Sequence, residues 1–336
     1  MDIRIERNPN PPATPDWDKL VFGKHYSPHM FMLNWRDGEW HDPRIVPYGP
    51  FAMSPAAKVL HYAQEIFEGM KAYKKADGSV HMFRPDMNVA RFNRSAERMC
   101  MPTVDPGLFM RALEILCAMD SDFVAPKPGS LYIRPTMIGD EPSLGVASSD
   151  TFLFFIITGP VGTYFKSGVK PLYLKAETEF VRSAPGGVGF AKTGGNYAAA
   201  LLPIKRAQRE GFDQIIWLDA LTRTTVEEMG AMNICFVYED KVVTAPTMPD
   251  SDTILAGVTR DSVGTLVQEM ERQWVQEPPV LAQILADAES GSLKEAFACG
   301  TAAIVTPIGK IHSAGKDVTI GDGTEGPFTL KLRQTC

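Results

Sequence analysis

The sequence predicts an α+β fold with two domains, and three observations support this interpretation. Runs typical of strands and of helices are mixed along the 336 residues without the regular strand–helix alternation of a doubly wound sheet. A chain of this length, 44% hydrophobic and 22% charged, can bury more than one core. The stretch GPVGTYFKSGVKP, rich in Gly and Pro, interrupts every regular pattern. We therefore expect a smaller N-terminal domain over 1–160, an interdomain loop over 161–173 and a larger C-terminal domain over 174–336.

In the N-terminal half, short runs of sequence predict individual strands and helices. MKAYKKADGSVHMF contains two alternating runs around Asp77 and Gly78, which predicts a hairpin. A helix is expected from Pro85, and DPGLFMRALEILCAM predicts a second one. Its apolar face is expected to contain Leu108, Leu113, Leu116 and Met119. SLYIRPTMIG and DTFLFFIITG follow as strands, and the second is apolar enough to be buried on both faces.

In the C-terminal half we expect a helix from about Tyr197 to Glu210, kinked by Pro203. DQIIWLDA predicts a strand, and NICFVYEDKVVTAP predicts a second hairpin. A helix is expected after AGVTRD, and further strands are expected in EAFACGTAAIVTPI. These elements complete the second domain.

Composition excludes several classes of function. The net charge is −6 and the longest basic cluster, MKAYKK, is short, which argues against nucleic acid as a partner. The sequence contains neither an apolar run long enough to span a membrane nor a signal peptide, so we expect a cytoplasmic protein without a membrane partner. Five cysteines without a C-x-x-C pair predict neither a disulfide framework nor a metal site.

One lysine, Lys192, lies between an apolar run and a Gly-Gly-Asn-Tyr turn in GGVGFAKTGGNYAAALL. A lysine flanked by glycines is commonly only the polar residue of a loop. In a partly dry pocket, however, desolvation disfavours the charged form and leaves an amine that can attack a carbonyl. The second possibility makes Lys192 a candidate Schiff-base residue.

Eight segments occur in the order found in one enzyme family: LHYAQEIFEGMKAY, MNVARFNRSAERM, LYIRPTMIGDEPSLGV, GPVGTYF, AKTGGNYAAALL, EEMGAMN, LAGVTRDS and FACGTAAIVTP. With them, nearly the whole chain resembles the branched-chain amino acid aminotransferases, pyridoxal-phosphate enzymes of fold type IV. The resemblance implies an active site between the two domains and a small-molecule reaction. In that reaction the amino group passes between L-leucine, L-isoleucine or L-valine and 2-oxoglutarate. It also implies that Lys192 holds pyridoxal 5'-phosphate as an internal aldimine.

The resemblance assigns further residues to the cofactor. Glu228 matches the carboxylate that keeps the ring nitrogen protonated, whereas strand alternation makes its neighbour Glu227 a surface charge. Tyr197 matches the tyrosine that hydrogen-bonds the ring hydroxyl. The residues that match phosphate ligands are Arg91, Val258, Thr259 and Thr301. From the sequence alone, Arg91 could equally be a solvated helix arginine, Thr259 a helix cap and Tyr197 a core residue.

A second set resembles the family's substrate site. The expected aromatic walls of its side-chain pocket are Tyr62, Phe67, Tyr132, Tyr164 and Tyr197. The expected polar part comprises Tyr132, Arg134 and the backbone of Thr301 and Ala302, with Arg134 accepting the distal carboxylate of glutamate. Leu144 and Val146 resemble a loop that enters the partner subunit's pocket, which implies at least a homodimer.

Two departures and several alternatives remain. Vertebrate members carry a C-x-x-C pair after the G-T-A motif, whereas this chain reads GTAAIVTP, so we expect no such thiol switch. The chain ends at LKLRQTC, where family members usually continue, so its terminus is either naturally short or truncated. A D-amino acid aminotransferase or an aminodeoxychorismate lyase would share Lys192 and Glu228. A cofactor-free Schiff-base enzyme such as an aldolase, or a noncatalytic binding protein, would belong to a different class.

Overall fold

A computed structural model of the chain describes residues 1–162 and 169–336, which form two compact units. The first unit contains the described residues up to 162 together with the segment Ala191–Gly194, and the second contains the rest. The sequence interpretation had assigned Ala191–Gly194 to the C-terminal domain, yet these four residues belong to the first unit. The expected limits of the interdomain loop stay a prediction.

The first unit contains one sheet with helices packed on it. Its elements are β1 (Arg4–Ile5), β2 (His29–Arg36), β3 (Glu39–Pro47), α1 (Lys58–Tyr62), β4 (Glu65–Phe67), β5 (Met70–Lys74), β6 (Val80–Met82), α2 (Pro85–Arg98), α3 (Pro106–Met119), β7 (Ser130–Gly139) and β8 (Phe152–Val161). The strand order is β1-β3-β2-β8-β7-β5-β6, and β4 pairs with β7. The predicted hairpin is confirmed as the antiparallel pair β5–β6, whose turn contains Gly78 at a φ of 84°.

Local sequence explains where the two long helices begin. Both α2 and α3 start at a proline, whose fixed φ suits the first helical position and whose missing N–H is not needed there. The Asp105 side chain caps α3 by accepting a hydrogen bond of 2.8 Å from the Leu108 N–H. Apolar residues of both helices, including Phe92 and Leu113, are fully buried in one core with the sheet residue Phe154. This core makes the sheet a rigid support for the side chains on its other face.

The second unit is built around strands that close on themselves. Its elements are β9 (Leu172–Glu177), α4 (Gly194–Ala198), α5 (Leu201–Arg209), β10 (Gln214–Leu218), β11 (Val226–Met229), β12 (Met232–Val237), β13 (Lys241–Thr244), α6 (Val258–Glu269), β14 (Gln273–Gln276), α7 (Leu281–Ser290), β15 (Glu295–Gly300), β16 (Ile304–Ser313), β17 (Lys316–Thr319) and α8 (Pro327–Thr335). The order is β11-β10-β9-β16-β15-β12-β13-β14, with β17 on β16. Because β11 also pairs with β12, the strands from β11 through β9 and β16 to β12 form a closed ring. The predicted hairpin β12–β13 is confirmed.

Two local predictions were wrong. The expected helix over 197–210 is divided into α4 and α5, so Pro203 lies in the first turn of α5, where its missing N–H breaks no bond. Gly159, the first residue of the Gly- and Pro-rich stretch expected to interrupt regular structure, is part of β8. A Cβ at Gly159 would overlap the main chain of His25, so this glycine permits a close approach of two chain segments.

No helix among residues 1–162 and 169–336 is long and apolar enough to span a membrane.

Candidate active site

The main chain of Lys192 is held by hydrogen bonds to other parts of the first unit. Its N–H donates to the Ser95 hydroxyl on α2 at 2.9 Å, and its carbonyl accepts from the Phe67 N–H on β4 at 3.0 Å. The Nζ atom lies 4.8 Å from the centroid of the Phe67 ring. The partly buried amine is therefore positioned on an aromatic face and not in an open loop.

Alternation along β7 defines the surface on which this amine lies. Leu131 and Ile133 are fully buried in the core, whereas Tyr132 and Arg134 are only partly buried and point to the other face. Phe67 lies on that second face too, because it is paired with Thr136 of β7. We call the side of the sheet that bears Phe67, Tyr132 and Arg134 the site face.

Arg134 is the second basic residue of the site face. Its guanidinium carbon lies 4.8 Å from the Phe67 ring centroid, and its Nη2 donates to the Tyr132 hydroxyl at 2.9 Å. The Nε of Arg134 is buried and has no hydrogen-bond partner among the described residues. A buried donor without a partner costs free energy, so this atom is suited to an anionic ligand.

A cavity of about 260 Å³ adjoins Tyr132 and Arg134. The N-terminal segment contributes Phe22, whose ring contacts the Tyr132 ring edge-on at 4.9 Å between centroids, and the opposite side is formed by β8. Its mixed lining offers both aromatic surface and polar groups. Such a cavity can hold a small molecule with one charged end and one apolar end.

Arg91 is buried on α2 and is paired within the first unit. Its Nε and Nη2 donate to the two carboxylate oxygens of Glu68 at 2.7 and 2.9 Å, and Asn88 donates to Glu68 at 2.7 Å. Burial alone would raise the pKa of Glu68, but Arg91, Lys192 and Asn88 outweigh burial and lower that pKa. Only 5% of Arg91 is exposed, so it is not the solvated helix arginine that the sequence allowed.

Glu228, on β11 of the second unit, is a buried carboxylate with two oriented neighbours. Its Oε2 lies 2.9 Å from the Nε of Arg182, and its Oε1 accepts from Asn233 Nδ2 at 3.1 Å. Asn233 also donates to the Leu255 carbonyl at 3.0 Å, just before α6. A Cβ at Gly257, the N-cap of α6, would overlap the Asn233 side chain. Asn233 thus links Glu228 to the start of α6.

Glu227 was predicted to be a surface charge, and this was wrong. Only 7% of the residue is exposed, and its Oε1 accepts from the Thr253 hydroxyl at 2.6 Å. All four residues of β11 are buried, so both faces of this strand are covered. Alternation therefore does not distinguish an exposed face here.

The remaining cofactor candidates lie at three places in the second unit. Val258 and Thr259 form the first turn of α6, whose N-cap is Gly257, a residue without a side chain that could cap the helix. Thr259 is therefore not the helix cap. Thr301 and Ala302 lie in the turn between β15 and β16, and Tyr197 lies in α4. An uncapped helix N-terminus and a buried carboxylate fit the phosphate and the protonated ring nitrogen of a pyridoxal cofactor.

The predicted interface loop is exposed. Leu144 is 62% and Val146 is 88% exposed, and the Leu144 carbonyl accepts a hydrogen bond from the Tyr62 hydroxyl. Tyr62, expected in the wall of the substrate pocket, is thus bonded to this loop. Tyr164 lies outside the described residues.

Sequence reasoning missed three neighbours of the site: Glu68, Arg182 and Phe22. Glu68 lies in the segment LHYAQEIFEGMKAY. A buried arginine on the following helix, Arg91, could have suggested that it needs a carboxylate partner such as Glu68. Nothing local marked Arg182 or Phe22, because their contacts with Glu228 and Tyr132 join residues distant in sequence.

Comparisons with known proteins identify the family of the chain. The profile of the amino-transferase class IV family matches residues 65–311. Branched-chain-amino-acid transaminase 1 of Bacillus subtilis is 45% identical over 96% of this chain and 90% of its own length. A probable branched-chain-amino-acid aminotransferase of Streptomyces coelicolor is 46% identical over 93% of this chain and 86% of its own length.

A solved relative extends the comparison to structure. The T.th. branched-chain amino acid aminotransferase with pyridoxamine 5'-phosphate superposes with a TM-score of 0.73 at 27% identity, covering 90% of this chain and 92% of the relative. The same enzyme has been solved with N-(5'-phosphopyridoxyl)-L-glutamate. These relatives match the main interpretation and not its alternatives. The chain therefore belongs to the class IV amino-transferases and, within them, to the branched-chain-amino-acid transaminases.

Proposed function

We propose that the chain transfers the amino group between L-leucine, L-isoleucine or L-valine and 2-oxoglutarate, with pyridoxal 5'-phosphate as cofactor. The observation that carries the proposal is the site face, where the Lys192 amine and the Arg134 guanidinium both lie 4.8 Å from the Phe67 ring centroid. The amine is the nucleophile, and the guanidinium is the receptor for a carboxylate. A relative has been solved with a phosphopyridoxyl-glutamate adduct, which supports glutamate as one of the substrates.

The cofactor would be held by the residues assigned from the sequence. When bound, it supplies an electron sink for the carbanion at the substrate Cα. Arg91, the first turn of α6 with Val258 and Thr259, and Thr301 would hold its phosphate. Tyr197 would donate to its ring hydroxyl, and Glu228 would keep the proton on its ring nitrogen. Arg182 and Asn233 fix the orientation of Glu228 for that task.

Lys192 acts as the base that moves a proton to and from the substrate Cα. Ser95 and Phe67 fix its main chain, so only the side chain has to move during this transfer. The Phe67 ring beneath the Nζ excludes water from one side of the amine. Fixing the donor and acceptor of a proton in this way lowers the entropy cost of the step.

The cavity beside Tyr132 and Arg134 would receive the substrate side chain. Its aromatic part, which includes Phe22, suits an aliphatic chain. The Nε of Arg134, which has no partner in the described part of the chain, suits the distal carboxylate of glutamate. Both substrate classes can then use one site in alternate half-reactions.

We test the nucleophile with Lys192→Ala. Because both covalent attachment and proton transfer need the amine, we expect turnover to be abolished while the protein still folds and retains phosphate binding. Borohydride reduction of the wild-type holoenzyme followed by peptide mapping should label Lys192. Label on another lysine would contradict the assignment, and Lys205→Ala, a matched lysine outside the site, should remain active.

We test dual-substrate recognition with Arg134→Leu. The glutamate half-reaction should weaken by on the order of 2 to 4 kcal/mol, roughly thirty- to a thousandfold in kcat/KM, because a buried carboxylate loses its partner. The leucine half-reaction should change far less. Single-turnover spectra with each amino acid measure both, and equal losses would show that Arg134 has a structural role only.

We further infer that the chain is at least a homodimer. The exposed apolar side chains of Leu144 and Val146 support this, because such side chains usually become buried when a partner binds. Sedimentation of the wild-type protein beside Val146→Ser gives the test, and a monomeric wild type would refute it.

A further inference from the structure

Glu65, the first residue of β4, carries a second carboxylate to the site face. It is paired with Ile138 of β7, two positions from the Phe67–Thr136 pair, so its side chain points to the same side of the sheet as Phe67. Arg134 lies on that side as well. None of the steps assigned to Lys192, Glu228 and Arg134 uses this carboxylate.

Glu65 contacts the residues that follow Lys192. Its carboxylate accepts a hydrogen bond from the Gly194 N–H, and its carbonyl accepts one of 2.7 Å from the Thr193 hydroxyl. A Cβ at Gly194 would overlap the Glu65 carboxylate, so only glycine permits this approach. The carboxylate is thereby fixed in place on the site face and is not a mobile surface group.

The positive charge of Arg134 favours the ionised form of Glu65. Burial raises the pKa of Glu65, whereas the Gly194 hydrogen bond and the Arg134 charge oppose that rise. Arg134 therefore already has an anionic neighbour before any substrate binds. A dicarboxylate that approaches Arg134 also approaches this negative charge.

We propose that Glu65 is a specificity-determining residue, which lowers the affinity of the Arg134 subsite for a distal carboxylate relative to an aliphatic side chain. The inference depends on the function proposed above for Arg134. An aliphatic side chain has no charge for Glu65 to repel, so only the dicarboxylate is penalised. The effect favours release of 2-oxoglutarate and glutamate and leaves the aliphatic substrates almost unaffected.

Two amine-free probes isolate binding from turnover. Glutarate has two carboxylates, and 4-methylvalerate has one carboxylate and a branched aliphatic end. Their dissociation constants are measured by calorimetry with the wild-type holoenzyme, with Glu65→Gln and with Glu65→Ala. Glu179→Gln, at an exposed carboxylate, is the control.

We expect the ratio of the glutarate constant to the 4-methylvalerate constant to fall about fivefold in both Glu65 variants, because both remove the charge. Glu65→Gln retains an acceptor for the Gly194 N–H, whereas Glu65→Ala does not. If Glu65 only anchored the segment at Gly194, the two variants would differ from each other and the ratio of the two dissociation constants would stay unchanged. An unchanged or increased ratio overturns the inference.

The wild-type enzyme separates the two hypotheses. If the wild type transaminates leucine with 2-oxoglutarate but the ratio of dissociation constants is the same in the Glu65 variants, the role of Glu65 is refuted and the proposed function stands. If it does not transaminate them, the proposed function fails.

Discussion

Two buried pairs of a carboxylate and an arginine, one in each unit, are built differently. In the first unit, Arg91 donates two hydrogen bonds to Glu68, which also accepts from Asn88 and from the Gly69 N–H. In the second unit, the Nε of Arg182 lies 2.9 Å from Glu228 but makes no hydrogen bond to a described residue. The first pair is directional, and the second is mainly an attraction between charges.

The difference separates two uses of a buried carboxylate. Glu68 has strong donors on both oxygens, so its charge is neutralised within the fold and holds α2 against the strands. Glu228 has the Arg182 guanidinium on one oxygen, and Asn233 sets its orientation. This arrangement suits a carboxylate that must keep a nitrogen atom of a bound ligand protonated. Three glutamate-to-glutamine variants test the distinction.

Glu228→Gln should have the largest effect. The amide keeps the shape of the side chain but cannot stabilise a charged ring nitrogen, so we expect the chemical step to slow about a hundred- to a thousandfold with a modest loss of cofactor. Single-turnover absorbance changes measure the step. A variant that reacts at the wild-type rate would place Glu228 with Glu68 as a structural group.

Glu68→Gln should affect stability first. It leaves Arg91 buried beside a neutral partner, so the free energy of unfolding should fall by about 3 to 5 kcal/mol. Denaturant titration measures this, with Glu179→Gln at an exposed pair expected to change it by less than about 1 kcal/mol. Unchanged stability would show that the Glu68 pair is not structural.

Glu227→Gln should have the smallest effect of the three variants. It should change how the stability of the protein depends on pH. Burial raises the pKa of Glu227 above its unfolded value, although Thr253 and Arg182 oppose the rise. Its bound proton therefore adds stability that is complete below the unfolded pKa, about 4.3, and is lost as pH rises through the folded pKa. The neutral amide should match the wild type in acid and be more stable near pH 7, where the wild type buries a charge. Turnover should change little. Unfolding titrations at a series of pH values measure the stability of both proteins, and a variant that is less stable than the wild type near pH 7 would contradict the prediction.

Local signals in the sequence predicted much of the fold. The β5–β6 hairpin and the starts of α2 and α3 follow from turn residues and prolines that lie within the elements themselves. The family was also predicted correctly, because its segments occur in order along the chain. The assigned roles of Lys192 and Glu228 stay predictions that the variants above test.

What the sequence did not predict depends on distant pairing. Alternation assumes that a strand has one solvated face, and β11 has none, so Glu227 was misassigned. The attraction of Arg182 for Glu228 joins residues that no motif connects. The same holds for the contact of Glu65 with Gly194, which forms only when β4 and the segment after Lys192 meet.

The assignment of Ala191–Gly194 to the first unit has a consequence for the gene. Recombination that exchanged only the coding sequence for 174–336 with that of a relative would replace Lys192 and its neighbours while keeping Glu65, Phe67 and Ser95 from the original parent. In such chimaeras the four-residue segment would come from one parent and the residues that contact it from the other. A compatible hybrid would need two additional crossovers, one on each side of the segment, so that the codons for 191–194 travel with the first half of the gene.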